Sequence, residues 1–254
     1  MNGHRELAAG RALRSLAASA WKARWQVELE AEARFARLAC RMERIGAAPE
    51  IVDLARRASQ DERRHAGLCA DLARSYGEAV PSTYAPAIRE ITPSGLRLRG
   101  QVLYELVASC CITETESMGV LTTLLGAARS PNLRRVLREL AQDEVGHSRL
   151  GWAHLASEHA QGTTAFLGPL IPSMLEGSID ARLFSKATGG QEDAGLLEHG
   201  VLPPRLKLDV FRQTLEEVVF PGLDHLGVDV APARRWLADR LERAGLDGPL
   251  GGSP

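Results

Sequence analysis

Asp61-Glu62-Arg63-Arg64-His65 and Asp143-Glu144-Val145-Gly146-His147 decide the fold. Both read D-E-x-x-H, and their glutamates stand 82 positions apart, at 62 and 144. A glutamate and a histidine three residues apart share one face of a helix, so both can reach a single ion. Carboxylate oxygen with imidazole nitrogen suits iron or manganese, and zinc less specifically. One E-x-x-H is common by chance. Two copies, each on the second helix of a hairpin, specify far more. Neither is the H-E-x-x-H of a zinc protease, because the first histidine is missing.

The surrounding sequence reads as helix. Ala, Leu, Arg and Glu dominate the first 160 residues, with Pro and Gly confined to a few places. The pattern predicts helix A from about Arg11 to Ile45, stopped by Gly46, and helix B from Pro49 to about Gly77. Helix C is expected from after Ser94 to about Arg129. Ser130-Pro131 reads as an N-cap and first-turn proline that open helix D, which runs to about Ala160. The A–B and C–D links are short, so each pair forms an antiparallel hairpin. The B–C link, Glu78 to Pro93, holds Pro81, Pro86 and Pro93. At about 3.3 Å per residue it reaches roughly 50 Å, while a helix of about 27 residues is about 40 Å long. The expected fold is therefore all-α: a four-helix bundle of two antiparallel hairpins joined by one long crossover, at residues 1–160. Additional helices near Thr163–Leu175, Pro203–Leu226 and Ala231–Ala244 are expected to pack on it over 161–245. Residues 246–254 read as a loose tail.

A two-metal bundle site also needs a glutamate from helix A and one from helix C. On helix C, Glu114 fills the gap in the stripe Leu103, Val107, Cys110, Met118, Leu121, Leu125 and faces inward. Glu116 falls among polar positions, and Glu105 lies about 14 Å away along the axis. On helix A the stripe Trp21, Trp25, Phe35, Met42 includes both Glu28 and Glu32, while Glu30 points away. Distance from the Gly46–Ala48 turn slightly favours Glu32, so spacing leaves both open. Small residues at Ser109, Ser117 and Gly119 are expected to leave room beside the metals.

This constellation resembles the ferritin-like superfamily of non-haem diiron carboxylate proteins, which includes ferritins, rubrerythrins and diiron oxygenases. Residues Glu28–Arg37 (ELEAEARFAR), Asp61–Cys69 (DERRHAGLC), Cys111–Thr115 (CITET) and Asp143–His147 (DEVGH) are similar to a group of bacterial ferritin-like proteins. In that group the helix A ligand stands seven residues before the Phe of an F-A-R triplet, which corresponds to Glu28. The acid of its G-E-T motif corresponds to Glu114. The extra acid Glu32 departs from the pattern. The resemblance spans about residues 20 to 160 and is weaker around Leu202–Leu226. It implies the metal ligands Glu28, Glu62, His65, Glu114, Glu144 and His147, with no catalytic side chain beyond them. Metal-bound imidazole usually donates its other N–H to a carboxylate or carbonyl. Asp61 is accordingly expected to orient His147, and Asp143 to orient His65. The implied cofactor is two iron ions, Fe2+/Fe3+, with manganese also compatible.

Bulk properties narrow the function. The 254 residues carry 31 basic and 32 acidic side chains, so no basic field is available to hold nucleic acid. No apolar run approaches the roughly 18 residues of a membrane span. Arg5, Glu6, Arg11 and Arg14 interrupt the N-terminus, unlike a signal peptide. Cys40, Cys69, Cys110 and Cys111 form no CxxC pair, which fits a reducing cytoplasm. The leading expectation is an oxidoreductase in which two ferrous ions use dioxygen to hydroxylate, N-oxygenate or desaturate a small organic substrate, with an external electron donor compatible. The roughly 90 residues after helix D could wall its pocket. A ferroxidase or rubrerythrin-like peroxidase is the second reading. The C-terminal extension disfavours a ferritin cage, and the lack of CxxC pairs disfavours a complete rubrerythrin. A non-enzymatic helical scaffold is the third. A homodimer is compatible with all three.

Overall fold

The computed structural model describes residues 2–179, 183–184 and 192–246, and the described residues hold helices and no strand. Helix α1 (Asn2–Arg44) and helix α2 (Pro49–Ser75) form the first hairpin. Helix α3 runs Leu98–Leu106, continues through a π-helical segment Val107–Glu114, and finishes as Thr115–Ala127. Helix α4 (Pro131–Ala160) completes the bundle.

Local chemistry explains the ends. Gly46 takes φ +69 and Ala47 N–H donates to Met42 C=O at 3.0 Å, closing α1 with a left-handed residue. Pro49 and Pro131 occupy first turns, where a missing N–H costs nothing. Three boundaries differ from expectation. Helix α1 starts at Asn2 rather than Arg11, because Glu6-Leu7-Ala8-Ala9 are good helix formers and no proline interrupts them. Helix α3 starts at Leu98, because Gly95 adopts φ +92, which no helical turn accepts. Ser130 stands at the N-cap of α4, but its side chain makes no capping bond.

Contacts fix the topology. Arg14 reaches Ser75 at one end of the α1–α2 hairpin, and Arg56 pairs with Glu43 at the other. Arg24 to Ser117, Arg41 to Glu105 and Arg99 to the Ile45 carbonyl run α3 antiparallel to α1. The link between α2 and α3 climbs alongside α1: Lys22 Nζ lies 2.6 Å from Glu78, the Tyr84 hydroxyl donates to Glu30 at 2.8 Å, and Arg41 reaches Glu90 at 3.5 Å. This is the expected long crossover.

Two apolar layers fill the bundle. Trp21, Trp25, Leu72, Leu121 and Leu137 pack one end. Phe35, Leu38, Met42, Val102, Leu106 and Leu150 pack the other. Between them lie the buried polar side chains Glu28, Glu62, His65, Glu114, Glu144 and His147.

The remaining helices cover α3. A 3₁₀ turn (Ala165–Leu170) leads into α5 (Ile171–Ser178), and α6 spans Glu192–Glu198. Helix α7 runs Pro204–Thr214, through a π segment Leu215–Val219, to Phe220–His225, and α8 spans Ala231–Ala244. Helix α6 is not among the sequence expectations. Leu103, Val107 and Ile112 of α3 share a core with Ile171, Phe211, Leu215 and Leu237. Gly119 permits this contact: a Cβ there would stand 2.9 Å from Thr214 Oγ1. Gly119 thus receives α7, and does not make room beside the metal site as expected. Of the expected loose tail, residues 247–254 lie outside the described residues. No described helix is long and apolar enough to cross a membrane.

Candidate metal centre

The two D-E-x-x-H stretches face each other because α2 and α4 run antiparallel through the middle of the bundle. Each places its glutamate and histidine inward and its aspartate at the rim, so Glu62, His65, Glu144 and His147 are at most 2% exposed. Two sets of donors result. Glu62, Glu114, Glu144 and His147 each offer an atom within 4.8 Å of the others, as do Glu28, Glu62 and His65. Glu62 belongs to both sets, and the six residues are those named from sequence.

Glu32 stands outside both sets. Its carboxylate accepts from Arg63 Nε at 2.8 Å on the surface of the α1–α2 hairpin. Asp143 Oδ2 lies 3.0 Å from His65 Nε2 and 2.5 Å from Arg64 Nη2. Asp61 Oδ2 lies 3.5 Å from His147 Nε2, and its other oxygen accepts from Arg64 at 3.0 Å. The Phe35 ring sits 5.3 Å from that of His147, limiting its rotation.

Electrostatics mark the cluster as built for positive charge. Burial pushes the Glu62 carboxyl well above its ordinary range, and neighbouring Glu28 adds to this. Burial does the same at Glu114, reinforced by Glu144. Burial would raise Glu144 as well, but the His147 contact at 3.0 Å outweighs it and holds the group at about 2. Burial likewise opposes charge on His147, yet Glu144 and Glu62 raise it to about 11. Glu144 and Glu62 thereby favour the protonated form of His147.

The donor atoms fit a metal. Glu62 Oε2 and His65 Nδ1 are buried, lie 3.4 Å apart and have no hydrogen-bond partner among the described residues. Buried polar atoms left unpaired are costly. A cation between these two would satisfy both, while His65 Nε2 stays on Asp143.

Sequence reasoning missed Arg24. It is one turn before Glu28, donates to Glu28 Oε1 at 2.8 Å and to Ser117 Oγ at 3.3 Å, and lies 3.9 Å from Glu144. Burial opposes its charge, but Glu28, Cys69 and Glu144 more than offset this. An arginine four residues from a glutamate was the available signal. Glu116 also departs from expectation: it is buried beneath the C-terminal helices and pushed up to about 7 by that burial, against the opposing effect of Lys207. Cys69 Sγ lies 3.9 Å from Glu28, consistent with packing against the site.

A cavity of about 730 Å³ opens onto Glu28, Glu62, Glu114 and Glu144. Ser109 and Ser117 line it, as do Phe35, Met174 of α5 and Lys207 of α7.

No protein-family model matches the chain, and no curated protein matches it. Among solved structures it is similar to protein 19 with aldehyde deformylating oxidase activity from Synechococcus, at 20% identity and a TM-score of 0.56, over 91% of this chain and 97% of that one. That likeness shows the fold, an all-α ferritin-like bundle.

Proposed function

We propose that the protein is a non-haem diiron oxidoreductase that uses dioxygen to oxidise a small organic substrate. One ion is held by Glu28, Glu62 and His65, the other by Glu62, Glu114, Glu144 and His147. Residues 1–160 form the catalytic bundle and 161–245 its cover. The observation that carries this reading is the cavity of about 730 Å³ that ends on four of these glutamates. An iron store or ferroxidase needs only a path for ions, whereas a cavity of this size suits an organic molecule.

Bound iron would supply the redox chemistry that side chains lack. The chain's own residues set the stage. Asp143 and Asp61 face the outer nitrogens of His65 and His147 and so hold the rings. Arg24 and Ser117 restrain Glu28 and Glu144. Phe35, Tyr104 and Met174 keep the chamber wall apolar, which limits water.

Anaerobic iron loading, elemental analysis and oxygen consumption with and without candidate substrates test the proposal. Two iron ions per chain and substrate-dependent oxygen uptake are expected. A single zinc ion, or no tightly held metal, would overturn it. Oxygen uptake that tracks added iron alone, with no organic product, would favour a ferroxidase.

A further inference from the structure

Glu116 is a buried carboxyl without a hydrogen bond. It is 9% exposed on α3 and lines the cavity of about 730 Å³. Among the described residues, neither a hydrogen bond nor an ion-pair contact reaches it. Its polar neighbours on the helix are committed. Thr113 donates to the Ala108 carbonyl at 3.0 Å, and the Thr115 hydroxyl lies 2.9 Å from that of Ser148. Ser117 takes a bond from Arg24 and donates to Glu144, both at 3.3 Å. The charge of Glu116 is a separate matter. Lys207 of α7 lines the same cavity and attracts the carboxyl, which partly offsets the cost of burying it. Attraction at a distance does not supply a hydrogen bond. A buried carboxyl is ordinarily paired and hydrogen-bonded, and one left without a donor is costly.

Position decides where the missing donor comes from. Two residues of helix turn a side chain by about 200°, so Glu114 is aimed at the metal donors and Glu116 at the covering helices. Both line one cavity, together with Glu28, Glu62 and Glu144. The same wall carries apolar Phe35, Ala108, Val120 and Met174. A molecule that bonds to Glu116 therefore occupies the chamber that reaches the metal donors. An ammonium group there would be repelled by Lys207, and a carboxylate by Glu116 itself. An uncharged donor is opposed by neither.

We infer that Glu116 accepts a hydrogen bond from an uncharged donor on the substrate, such as a hydroxyl, while the substrate's apolar body extends toward the metal donors. This rests on the reading of the cavity as the substrate chamber. Glu116 is then a residue that sets specificity. A hydroxyl has one O–H to donate and is small enough to sit in a mainly apolar wall. A ligand of similar shape without a donor leaves the carboxyl buried and unpaired. That penalty is how a polar group in a binding chamber rejects a near-isostere.

Calorimetry on the full chain, metal-free and iron-loaded without oxygen, tests this with phenylbutanol, its methyl ether and phenylbutylamine. The alcohol should bind about tenfold tighter than the ether or the amine, in both metal states. Glu116→Leu should weaken the alcohol about tenfold and leave the ether unchanged, which shows that the chamber is still formed. Glu116→Gln keeps a carbonyl acceptor and should hold the alcohol within about threefold of wild type. If Glu116→Leu binds neither ligand, the Gln variant decides: a retained preference for the alcohol supports the inference, and a lost one overturns it. Equal binding of alcohol and ether by wild type would overturn it too, because water would then serve the carboxyl. So would no binding of the alcohol at millimolar concentration, or binding that requires iron, since the hydroxyl would then sit on the metals. An amine that binds tightest, and is lost in Glu116→Gln, would mark a cation site and also overturn it. Iron uptake and oxygen consumption are read separately. Alcohol-selective binding by a chain that takes up no iron would remove the diiron reading and keep the role of Glu116. Oxygen uptake by the iron-loaded chain, with alcohol and ether bound alike, would do the opposite.

Discussion

Asp143 holds His65: its Oδ2 lies 3.0 Å from His65 Nε2, across the bundle from α4 to α2, and the same oxygen takes a hydrogen bond from Arg64 at 2.5 Å. The matching pair, Asp61 and His147, is looser at 3.5 Å. The two D-E-x-x-H motifs are therefore alike in sequence and unequal in geometry. Asp143→Asn should weaken metal binding by about 10- to 100-fold, the usual cost of disturbing the partner of a ligating imidazole. Asp61→Asn should cost less. Titration of both variants with ferrous or cobaltous ion measures the difference, and wild-type affinity in both would remove the proposed role.

Glu28 and Glu32 occupy the same stripe of α1, yet only Glu28 shares a donor set with Glu62 and His65. Glu28→Ala should cut bound metal toward one ion per chain. Glu32→Ala breaks a surface contact with Arg63, so metal content should stay at the wild-type level and stability should change by about 0.5 kcal/mol or less. Elemental analysis of both variants decides, and the reverse order would make Glu32 the ligand.

Gly151 sets the spacing between α3 and α4. A Cβ there would stand 2.5 Å from Cys110 Cβ and 3.0 Å from the backbone nitrogen of Cys111. Both are part of the π segment next to Glu114 and cannot move aside cheaply. Gly151→Ala should destabilise the fold by about 1–3 kcal/mol through overpacking. Gly67 on α2 has nothing within 4 Å of its Cβ position, so Gly67→Ala should be neutral or stabilising by up to about 1 kcal/mol. Chemical denaturation of the pair measures the contrast.

The helices and their pairing were legible because they depend on local signals: the proline at the first turn of α2, the glycine after α1, and the three-residue spacing inside D-E-x-x-H. Reading Glu114 as inward required only the gap in its stripe. What local signals do not contain is the partner. The π segment at Val107–Glu114 is invisible to a 3.6-residue period, although each extra residue in a wide turn rotates the rest of the helix by about 100°. Glu116 looked solvated because the helices that bury it arrive some 90 residues later, with Lys207 among them. Spacing left Glu28 and Glu32 open on α1, because both lie on one stripe and only the position of α2 separates them. Arg24 was passed over because a charged residue on a long helix is ordinarily solvent-facing.

Glu105 shows how a buried acid can be structural. It is fully buried on α3 and paired with Arg37 and with Arg41, whose Nη1 lies 3.0 Å from Oε2. Arg41 also donates to Gln101 at 2.5 Å and reaches Glu90 of the crossover. Glu105→Ala leaves Arg37 and Arg41 only their longer ion contacts to exposed Glu90, at 3.9 and 3.5 Å, and breaking a buried pair typically costs about 3–5 kcal/mol. Metal content should stay at two ions per chain, since Glu105 belongs to neither donor set. Denaturation combined with metal analysis separates this from a ligand, whose loss would lower metal content first.

His154 gives the fold a dependence on pH that the metal site does not require. It is 2% exposed on α4, and neither ring nitrogen has a hydrogen-bond partner among the described residues. Burial lowers its pKa, the Arg99 guanidinium lowers it further, and Glu158 at 3.8 Å opposes both. The folded protein therefore holds this ring neutral at a pH where the unfolded chain, titrating near 6.5, already binds a proton. Where the unfolded state binds more protons, stability rises with pH. The contribution is complete above about 6.5 and declines as the pH falls below it. The decline levels off once the folded ring also takes up a proton. Metal-free wild-type protein should thus lose denaturant resistance between neutral and mildly acidic pH, and His154→Gln should flatten that part of the profile. Denaturation midpoints across this range, with the metal removed so that the ligands contribute equally to both proteins, provide the comparison. Parallel profiles for wild type and variant would show that His154 takes up its proton as readily folded as unfolded, and that the buried ring is paired with a group such as Glu158 in solution.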